Sequence, residues 1–580
     1  MTRRQPGRAQ IARLEDFTDM VEIAADVVII GGGPAGLTIA KEMATTAARV
    51  IVLESGMIEE TPDHARLCEL ESIGEPFTEV QKAIRADFHR QQASEWSHTQ
   101  QPYGVRYRAL GGATHAWAGK SAPFDPIDFQ PRPWVAHSGW PVSHEDIEPY
   151  LRRAEAALNL SPIAPAVKVQ TGILNSFYWQ FARSRMDSLD IMRFASEFQE
   201  DIPPNVQVIL DATVSRIKLT SDGTRFDRLE VKGLCGKSAT VSGTVAILAA
   251  GGIDNPRLLL ASNDRHAAGL GNGYDQVGRY LMDHPSACLG GFDIDDVSAM
   301  TKAFGFVGVP HEKRMHMFMH GLAVDPVLQA REGILNSALF FMPQRAPDDP
   351  WDALKRLLQR KSDRPSRDLI SIAGGAKLLV KGLGIKALSH PRMPRTVKSA
   401  IVDTAIRLAP NFVVEEYEAG GLPHKLTGME IHGITEQEPN PDSRVMLSRT
   451  VDRLGIPKAL VDWRISRRDR ETLAYVANLC SELLPARDLP RPKLEPWVRN
   501  GTVDDAVIID MAHTSGTTRM SDSPQKGVVD KHCQVHGVSG LYVAGASIFT
   551  TSGHANPTLM ILAFAIRLAD HIKRELSLPK

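Results

Sequence analysis

Cysteine is scarce, with five in 580 residues: Cys68, Cys235, Cys288, Cys480 and Cys533. None stands at CxxC or CxxxH spacing, which excludes a local zinc site and a disulfide framework and leaves a reducing compartment as the best fit. An excess of either charge is missing too. Lys and Arg number 67 against 68 Asp and Glu, for a net charge of −1, so no global field draws the chain toward nucleic acid. Long apolar runs are absent as well: nothing approaches the ~18 apolar residues of a membrane span. The leader MTRRQPGRAQIARLEDFTDM carries Arg3 and Arg4 but no apolar segment of export-signal length before the first strand. The expectations are a flexible N-terminal tail over 1–23 and a cytoplasmic protein with no transmembrane span. What remains is an ordinary globular composition, 43% hydrophobic. The chain is well beyond the ~250–300 residues at which single cores stop growing, which argues for two domains.

One stretch organises the chain: DVVIIGGGPAGLTIAKEMATTAARVIVLES, Asp26 to Ser55. An apolar β-branched run ends at Ile30, and helical spacing follows through Leu37, Ala40 and Met43, so the glycines fall on a strand-to-helix turn. Gly31 permits the tight turn, Gly33 removes a Cβ that would block a pyrophosphate, and Gly36 lets the helix pack close to the sheet. Pro34 and Ala35 sit inside the turn. A second strand, Arg49 to Leu53, ends in Glu54, about 20 residues on, where an acid hydrogen-bonds the ribose hydroxyls of a dinucleotide; Ser55 follows it. The unit points to dinucleotide binding without separating FAD from NAD.

Downstream, RALGGATHAWAGKSAPFDPIDF gathers Arg108, Gly111, Gly112, Ala113, Trp117, Ala118 and Gly119. The glycines let backbone approach something flat or bulky and Trp117 supplies a wall; a glycine-rich surface loop is the plainer alternative. Ser143 caps a helix with Glu145 and Asp146 in its first turn. Period-two strands run from Asn205 to Thr220, with Val214 the candidate backbone contact to an adenine ring. A second strand-glycine-helix unit spans Thr244 to Ser262: a strand Val245 to Ala249, a turn at Gly251 and Gly252, and a helix opened by Asn255-Pro256. Near the C-terminus, a strand Leu541 to Ala544 leads through Gly545 and Ala546 to a long apolar helix from Asn556, with Thr558 in its first turn.

The intervening pattern of long alternating strands, such as Leu335 to Met342 and Leu426 to Glu436, predicts an antiparallel substrate domain. The expected fold is α/β, a discontinuous Rossmann-like FAD-binding domain (24–130, 205–291 and 506–580) with an inserted α+β substrate domain (131–204 and 292–505). A basic helical insertion lies at about 345–420. Within 351–400, Lys355, Arg356, Arg360, Lys361, Arg364, Arg367, Lys377, Lys381, Lys386, Arg392, Arg395 and Lys398 face only Asp352, Asp363 and Asp368. This is either a solvated excursion or a docking surface for a partner subunit, a second copy, an acidic electron acceptor or a membrane face.

Two stretches carry polar groups that packing does not ask for: MAHTSGTTRM, Met511 to Met520, and SGHANPT, Ser552 to Thr558. His513 lies on a loop rather than a periodic apolar face, and an imidazole with a reference pKa of ~6.5 is poised to take a hydroxyl proton. Asn556 offers an amide to the same oxygen. His554 is the alternative base or a substrate-orienting group, and Thr517 joins the near-site candidates.

The set GGGPAG with Glu54, LGGATHAWAG, SGWP, LAAGGIDNPRLL, VGRYLMDHP at Val277 to Pro285, HTSGTTRM, VVDKHCQVHG and TSGHANPTL resembles the glucose-methanol-choline (GMC) oxidoreductases, the FAD-dependent alcohol-oxidising family. ANPT, together with EQEPNPDSRVMLS, is similar to the branch of pyranose oxidases and bacterial sugar and glycoside dehydrogenases. The resemblance implies FAD, with His513 as general base, Asn556 holding the substrate oxygen, and hydride passing to flavin N5, the acceptor being oxygen or another electron carrier. Relatives with covalent flavin have histidine directly before the tryptophan of GG-x-x-x-x-W. Here Ala116 precedes Trp117 and the histidine is His115, so non-covalent FAD is expected. The competing readings are oxidation of a non-sugar alcohol, a flavin lyase of the same fold, or a non-catalytic subunit.

Overall fold

A computed structural model describes residues 10–90, 99–187, 190–346, 348–358, 362, 364–380, 393–411 and 424–577. Its first layer is a six-stranded, wholly parallel sheet in the order Ile11–Arg13, Val206–Leu210, Val50–Leu53, Val27–Ile30, Val245–Leu248, Leu541–Val543. The four interior strands are Val/Ile/Leu/Ala runs interrupted only by the half-buried Gln207, as strands covered on both faces require. On one side pack the helices Pro34–Glu42, His144–Ala157 and Thr558–Ser577. Ser143 caps the second of these with a reciprocal bond pair to Asp146, as its sequence predicted. Trp140 stacks on Phe564 of the third at 5.1 Å, its indole N–H donating to Thr551 Oγ1 at 2.9 Å.

The second large layer is an eight-stranded antiparallel sheet running Lys493–Leu494, Ser286–Asp293, Leu426–Thr435, Ser337–Arg345, Arg314–Val324, Leu174–Phe181, Lys120–Ser121, with Val307–His311 paired to Arg314–Val324. Alternation divides its faces. Leu339, Phe341, Met429 and Ile431 share a core with Leu473, Val476 and Cys480 of the helix Arg467–Leu483, whereas Phe340 and Ile434 belong to the core of the parallel layer. The α/β class with an antiparallel substrate domain therefore holds. Because Ser286–Asp293 belongs to this sheet, the antiparallel layer begins before the expected boundary at 292, and Lys120–Ser121 draws residues short of 131 into it. Two smaller sheets, Val21–Ala24 with Ser238–Ser242, Phe226–Lys232 and Thr213–Leu219, and Arg444–Val451 with Pro457–Asp462 and Leu70–Ser72, complete the architecture.

Three sequence expectations change. The tail over 1–23 is not flexible where it is described: Ile11–Arg13 adds to the parallel sheet and Val21–Ala24 pairs with Ser238–Ser242. Three or four residues are too few to show a period, and the partner strand supplies the hydrogen bonds; residues 1–9 lie outside the described residues. The helix expected to open at Asn255-Pro256 begins at Gly251, with Pro256 inside it. Proline has no N–H for the carbonyl of Gly252, four residues back, and that carbonyl instead accepts the Thr517 hydroxyl at 2.5 Å. The C-terminal helix starts at Thr558 rather than Asn556. In the basic region the helices Pro350–Leu358, Pro365–Gly374 and Arg395–Leu408 form as expected, while Arg360, Lys361, Asp363, Lys381, Lys386 and Arg392 lie outside the described residues.

Gly36 shows how closely the first helix meets its strand: a Cβ there would stand 2.1 Å from the Gly31 carbonyl oxygen and 3.1 Å from Ile29 Cγ2. Neither neighbour is a flexible side-chain end. Gly36→Ala is expected to cost about 3 kcal/mol or more, read as a fall in melting temperature against a control alanine at Gly273, where the space is open and φ is not positive.

Candidate active site

The two glycine turns, the 108–119 loop and the two C-terminal loops converge on one cleft of about 460 Å³ between the layers. The first turn forms one end. Gly33 begins the helix with no side-chain cap, and a Cβ at Gly33 would meet nothing within 4 Å, so this helix N-terminus opens onto free space suited to a phosphate. Gly112 abuts it, its Cβ position 3.0 Å from Gly33 Cα. Glu54 is buried, with its two oxygens accepting the amides of Gly32 at 2.8 Å and Gly56 at 2.7 Å. Burial pushes its carboxyl up and the amides pull it down. Each oxygen keeps a lone pair for a ribose hydroxyl.

Asn255 ties the second glycine turn to the C-terminal one. Its Oδ1 accepts the Ala250 amide at 2.8 Å, and its Nδ2 donates to the Ala544 carbonyl at 3.0 Å and Ser547 Oγ at 2.9 Å. Beside it, Arg106 and Arg108 pair with Asp254, 3.0 and 2.9 Å away, and Arg257 reaches the same carboxylate at 3.3 Å. Burial alone would raise the Asp254 carboxyl, but the guanidiniums of Arg108, Arg106 and Arg257 hold it well below the usual range. Arg257 is also paired with Asp452 at 2.7 Å, so three cations meet two acids and one positive charge is left over on this wall.

At the other end stands a chain of four groups. Asn556 Nδ2 lies 3.1 Å from His513 Nε2, His513 Nδ1 lies 2.8 Å from His284 Nδ1, and His284 Nε2 lies 3.2 Å from the Ser552 carbonyl. The carbonyl can only accept, so His284 Nε2 carries a hydrogen and its Nδ1 accepts from His513 Nδ1–H. His513 Nε2 is then left with its lone pair toward Asn556 and the cleft. Burial lowers His284 to about 4, which keeps it a neutral acceptor, and burial followed by His284 and His89 lowers His513 as well.

The loop that carries His513 is held from below. Ala512 is in the left-handed region at φ 59°, and the amides on either side of it, of Met511 and His513, both donate at 2.9 Å to Asp283. Asp283 also accepts the His284 amide at 2.7 Å and the Tyr103 hydroxyl at 3.3 Å. Burial and the adjacent Asp510 push its carboxyl up to about 7, against the pull of those amides. Asp510 is paired with the buried Arg85 of the helix Glu79–Arg90, whose Phe88 and His89 line the cleft.

Most of the expected cofactor contacts line the cleft: Gly31, Gly33, Pro34, Ala35, Glu54, Ser55, Arg108, Gly112, Ala113, Trp117, Ala118, Gly119, Val214, Ala249, Gly251, Gly545, Ala546, Asn556 and Thr558, with His513. Four candidates do not. Gly36 packs the helix onto the sheet, and Gly111 turns toward Ala195. Thr517 is fully buried and serves the Gly252 carbonyl. His554 is 1% exposed, edge-on to Phe177 and 3.9 Å from Asp125, and does not line the cleft. The lining residues that sequence reasoning missed are Arg106, Asp254 and Arg257 on one wall, Phe88 and His89 on another, and Phe340 and Met342 in the antiparallel roof.

Residues 439–565 match the sequence profile described as GMC oxidoreductase. The fructose dehydrogenase large subunit of Gluconobacter japonicus is 22% identical across 96% of this chain and 98% of its own length. Paromamine 6'-oxidase of Streptomyces fradiae is 31% identical over 26% of each chain. Among solved structures, pyridoxine 4-oxidase from Mesorbium loti superposes with a TM-score of 0.54 at 17% identity, covering 95% of this chain and 99% of that one. The C-terminal region thus matches the GMC oxidoreductase family, and the chain is similar along its length to proteins named as dehydrogenases and oxidases. The cleft fits FAD: an uncapped helix end and open glycines for the pyrophosphate, a buried acid for the ribose, and room beside Trp117, Gly545 and Ala546 for the ring.

Replacing Glu54 with Gln leaves one of two buried amides facing an NH2 group. The same NH2 group takes an acceptor from one ribose hydroxyl at a cost of about 1–3 kcal/mol, so FAD is expected to bind roughly tenfold to a hundredfold more weakly, measured by flavin fluorescence on dilution.

Proposed function

We propose that this protein is a GMC oxidoreductase that oxidises a ring hydroxyl of a sugar, glycoside or related polyol, with His513 as general base and Asn556 as the partner that holds the substrate oxygen. The observation that carries the reading is the directed hydrogen-bond chain from Asn556 through His513 and His284 to the Ser552 carbonyl. It leaves His513 Nε2 unprotonated with its lone pair toward the cleft, beside an amide N–H that can bind the same oxygen. When bound, FAD supplies the hydride acceptor. The hydroxyl proton goes to His513 Nε2 as the carbinol hydrogen leaves with its electron pair. The cation so formed strengthens the bond from Nδ1–H to His284, whose other nitrogen keeps its hydrogen on the Ser552 carbonyl.

The roof supports a polyhydroxylated substrate. Phe340 and Met342 face the cleft, and directly opposite them in register stand His432 and Glu430, paired at 2.8 Å, with His432 stacked on Phe340. The apolar face of Phe340 and Met342, with the Lys120 ammonium beside it in the cleft lining, suits one face of a sugar ring. The two relatives described above are named for fructose and paromamine, both rich in hydroxyls. Non-covalent FAD is supported by His115, whose Nε2 is bonded to the Leu110 carbonyl at 2.6 Å and whose ring stacks on Tyr107.

Mixing the protein anaerobically with a panel of monosaccharides, glycosides, aminoglycosides and simple alcohols should bleach the flavin with at least one sugar-like compound. An unbleached flavin accompanied by product would instead mean a lyase. His513→Ala is expected to slow that bleaching about 10²–10⁴-fold while FAD stays bound. Because the His513 imidazole is held below its ordinary value, its basic form persists as pH falls through ~6.5. The bleaching rate should therefore stay level there and decline only at lower pH. Acid precipitation should leave the yellow colour in the supernatant, whereas a yellow pellet would mean a covalent link.

A further inference from the structure

The basic insertion carries a surface that the oxidation of a hydroxyl does not use. Large aliphatic side chains stand exposed there: Leu358 at 76%, Ile370 at 72%, Val380 at 71% and Leu408 at 78%, together with Leu369, Val397 and Ile401. They are ordered rather than scattered. On Arg395–Leu408, the residues Lys398, Val402 and Ile406 face inward, while Val397, Ile401, Thr404 and Leu408, at intervals of four, three and four, form a separate stripe on the solvent side. From Pro365–Gly374 onward, Leu369, Ala373, Ala376 and Val380 repeat that spacing, again exposed.

Charge around these stripes has one sign. Lys355, Arg364, Arg367, Lys377, Arg395 and Arg407 are exposed, and residues 350–411 contain no glutamate. The aspartates among the described residues there are not exposed. Asp368 is buried against Arg356 and Ser362, Asp403 accepts from Arg183, and Asp352 is half-buried. The only aromatic residue of the segment, Trp351, is buried.

We propose that this insertion docks the enzyme on an anionic lipid surface, the aliphatic stripes entering the headgroup boundary and the flanking cations facing the phosphates. A protein partner would be met by aromatic residues at the centre of the patch, and none is exposed among the described residues of this segment. Helices that lie on a bilayer instead pair an aliphatic face with lysine and arginine at its margins, and a negative leaflet attracts each of those cations. No helix among the described residues is long and apolar enough to cross a membrane, so the attachment is peripheral and salt-sensitive. The stripes also lie on helices apart from the residues that line the cleft, so docking leaves the cleft residues themselves uninvolved.

The test is flotation of the flavin-loaded full chain with phosphatidylcholine vesicles and with vesicles holding about one-third phosphatidylglycerol. About tenfold more protein is expected to float with the anionic vesicles, falling as salt is raised. Ile370→Glu/Ile401→Glu/Leu408→Glu should abolish flotation and Lys377→Glu/Arg407→Glu should reduce it, with flavin absorbance and melting temperature unchanged. If the triple variant loses its flavin, the charge-reversal pair decides the question. No flotation of the wild type, equal flotation with both vesicles, or unaltered flotation of the variants overturns the proposal. So does a concentration-dependent dimer that the triple variant dissolves, since a second copy would then cover the stripes.

Discussion

The reacting end of this molecule hangs on one buried carboxylate. Asp283 accepts the amides of His284, Met511 and His513, and so fixes both members of the imidazole pair relative to each other from segments about 230 positions apart. Its grip also holds Ala512 in a left-handed conformation that costs an alanine free energy, of order 1 kcal/mol or more. That kink directs His513 toward the cleft instead of along the loop. Four donors satisfy a group that burial and its neighbour Asp510 would otherwise disfavour as an ion. The arrangement is a case of electrostatic cost accepted in the interior because it sets geometry where geometry matters.

The cofactor end is built differently, from backbone rather than charge. Free space at Gly33, Gly251 and Gly545, where side chains would stand, makes the cradle. Asn255 then locks two of the three turns together through one amide that donates and accepts at once. Pro256 and Thr517 belong to the same device. The proline leaves a carbonyl in need of a donor inside the helix, and the threonine from the 511–520 loop provides it, so the sheet turn and the loop bearing His513 share a bond.

Much of this was legible in the sequence, and the failures have physical causes. The parallel strands were readable because strands covered on both faces must be continuously apolar, as VVII and VAIL are. The pairing of His513 with Asn556 was anticipated because polar residues on glycine-rich loops are seldom core. The same reasoning failed for Thr517 and His554, which sit on those loops but point inward, since spacing along a loop carries no period from which a facing direction can be read. VGRYLMDHP was visible as a motif, yet nothing local says that its aspartate and histidine meet residues 511–513. Ile11–Arg13 was invisible because a three-residue strand owes its existence to its neighbour. The roof residues Phe340 and Met342 alternate as any strand would, and only the placement of the antiparallel layer over the cleft gives them a ligand-facing role.

The strand Leu541–Val543 completes the parallel sheet against Val245–Leu248. A nascent chain leaving the ribosome at about 5–20 residues per second therefore exposes that strand, unpaired on one side, for tens of seconds before its neighbour is translated. Loops supplying Gly545, His513 and Asn556 arrive equally late. Flavin loading is thus a post-translational event for this polypeptide. Any stalled or C-terminally clipped product is both empty and adhesive, a natural client for chaperones rather than a partially active enzyme.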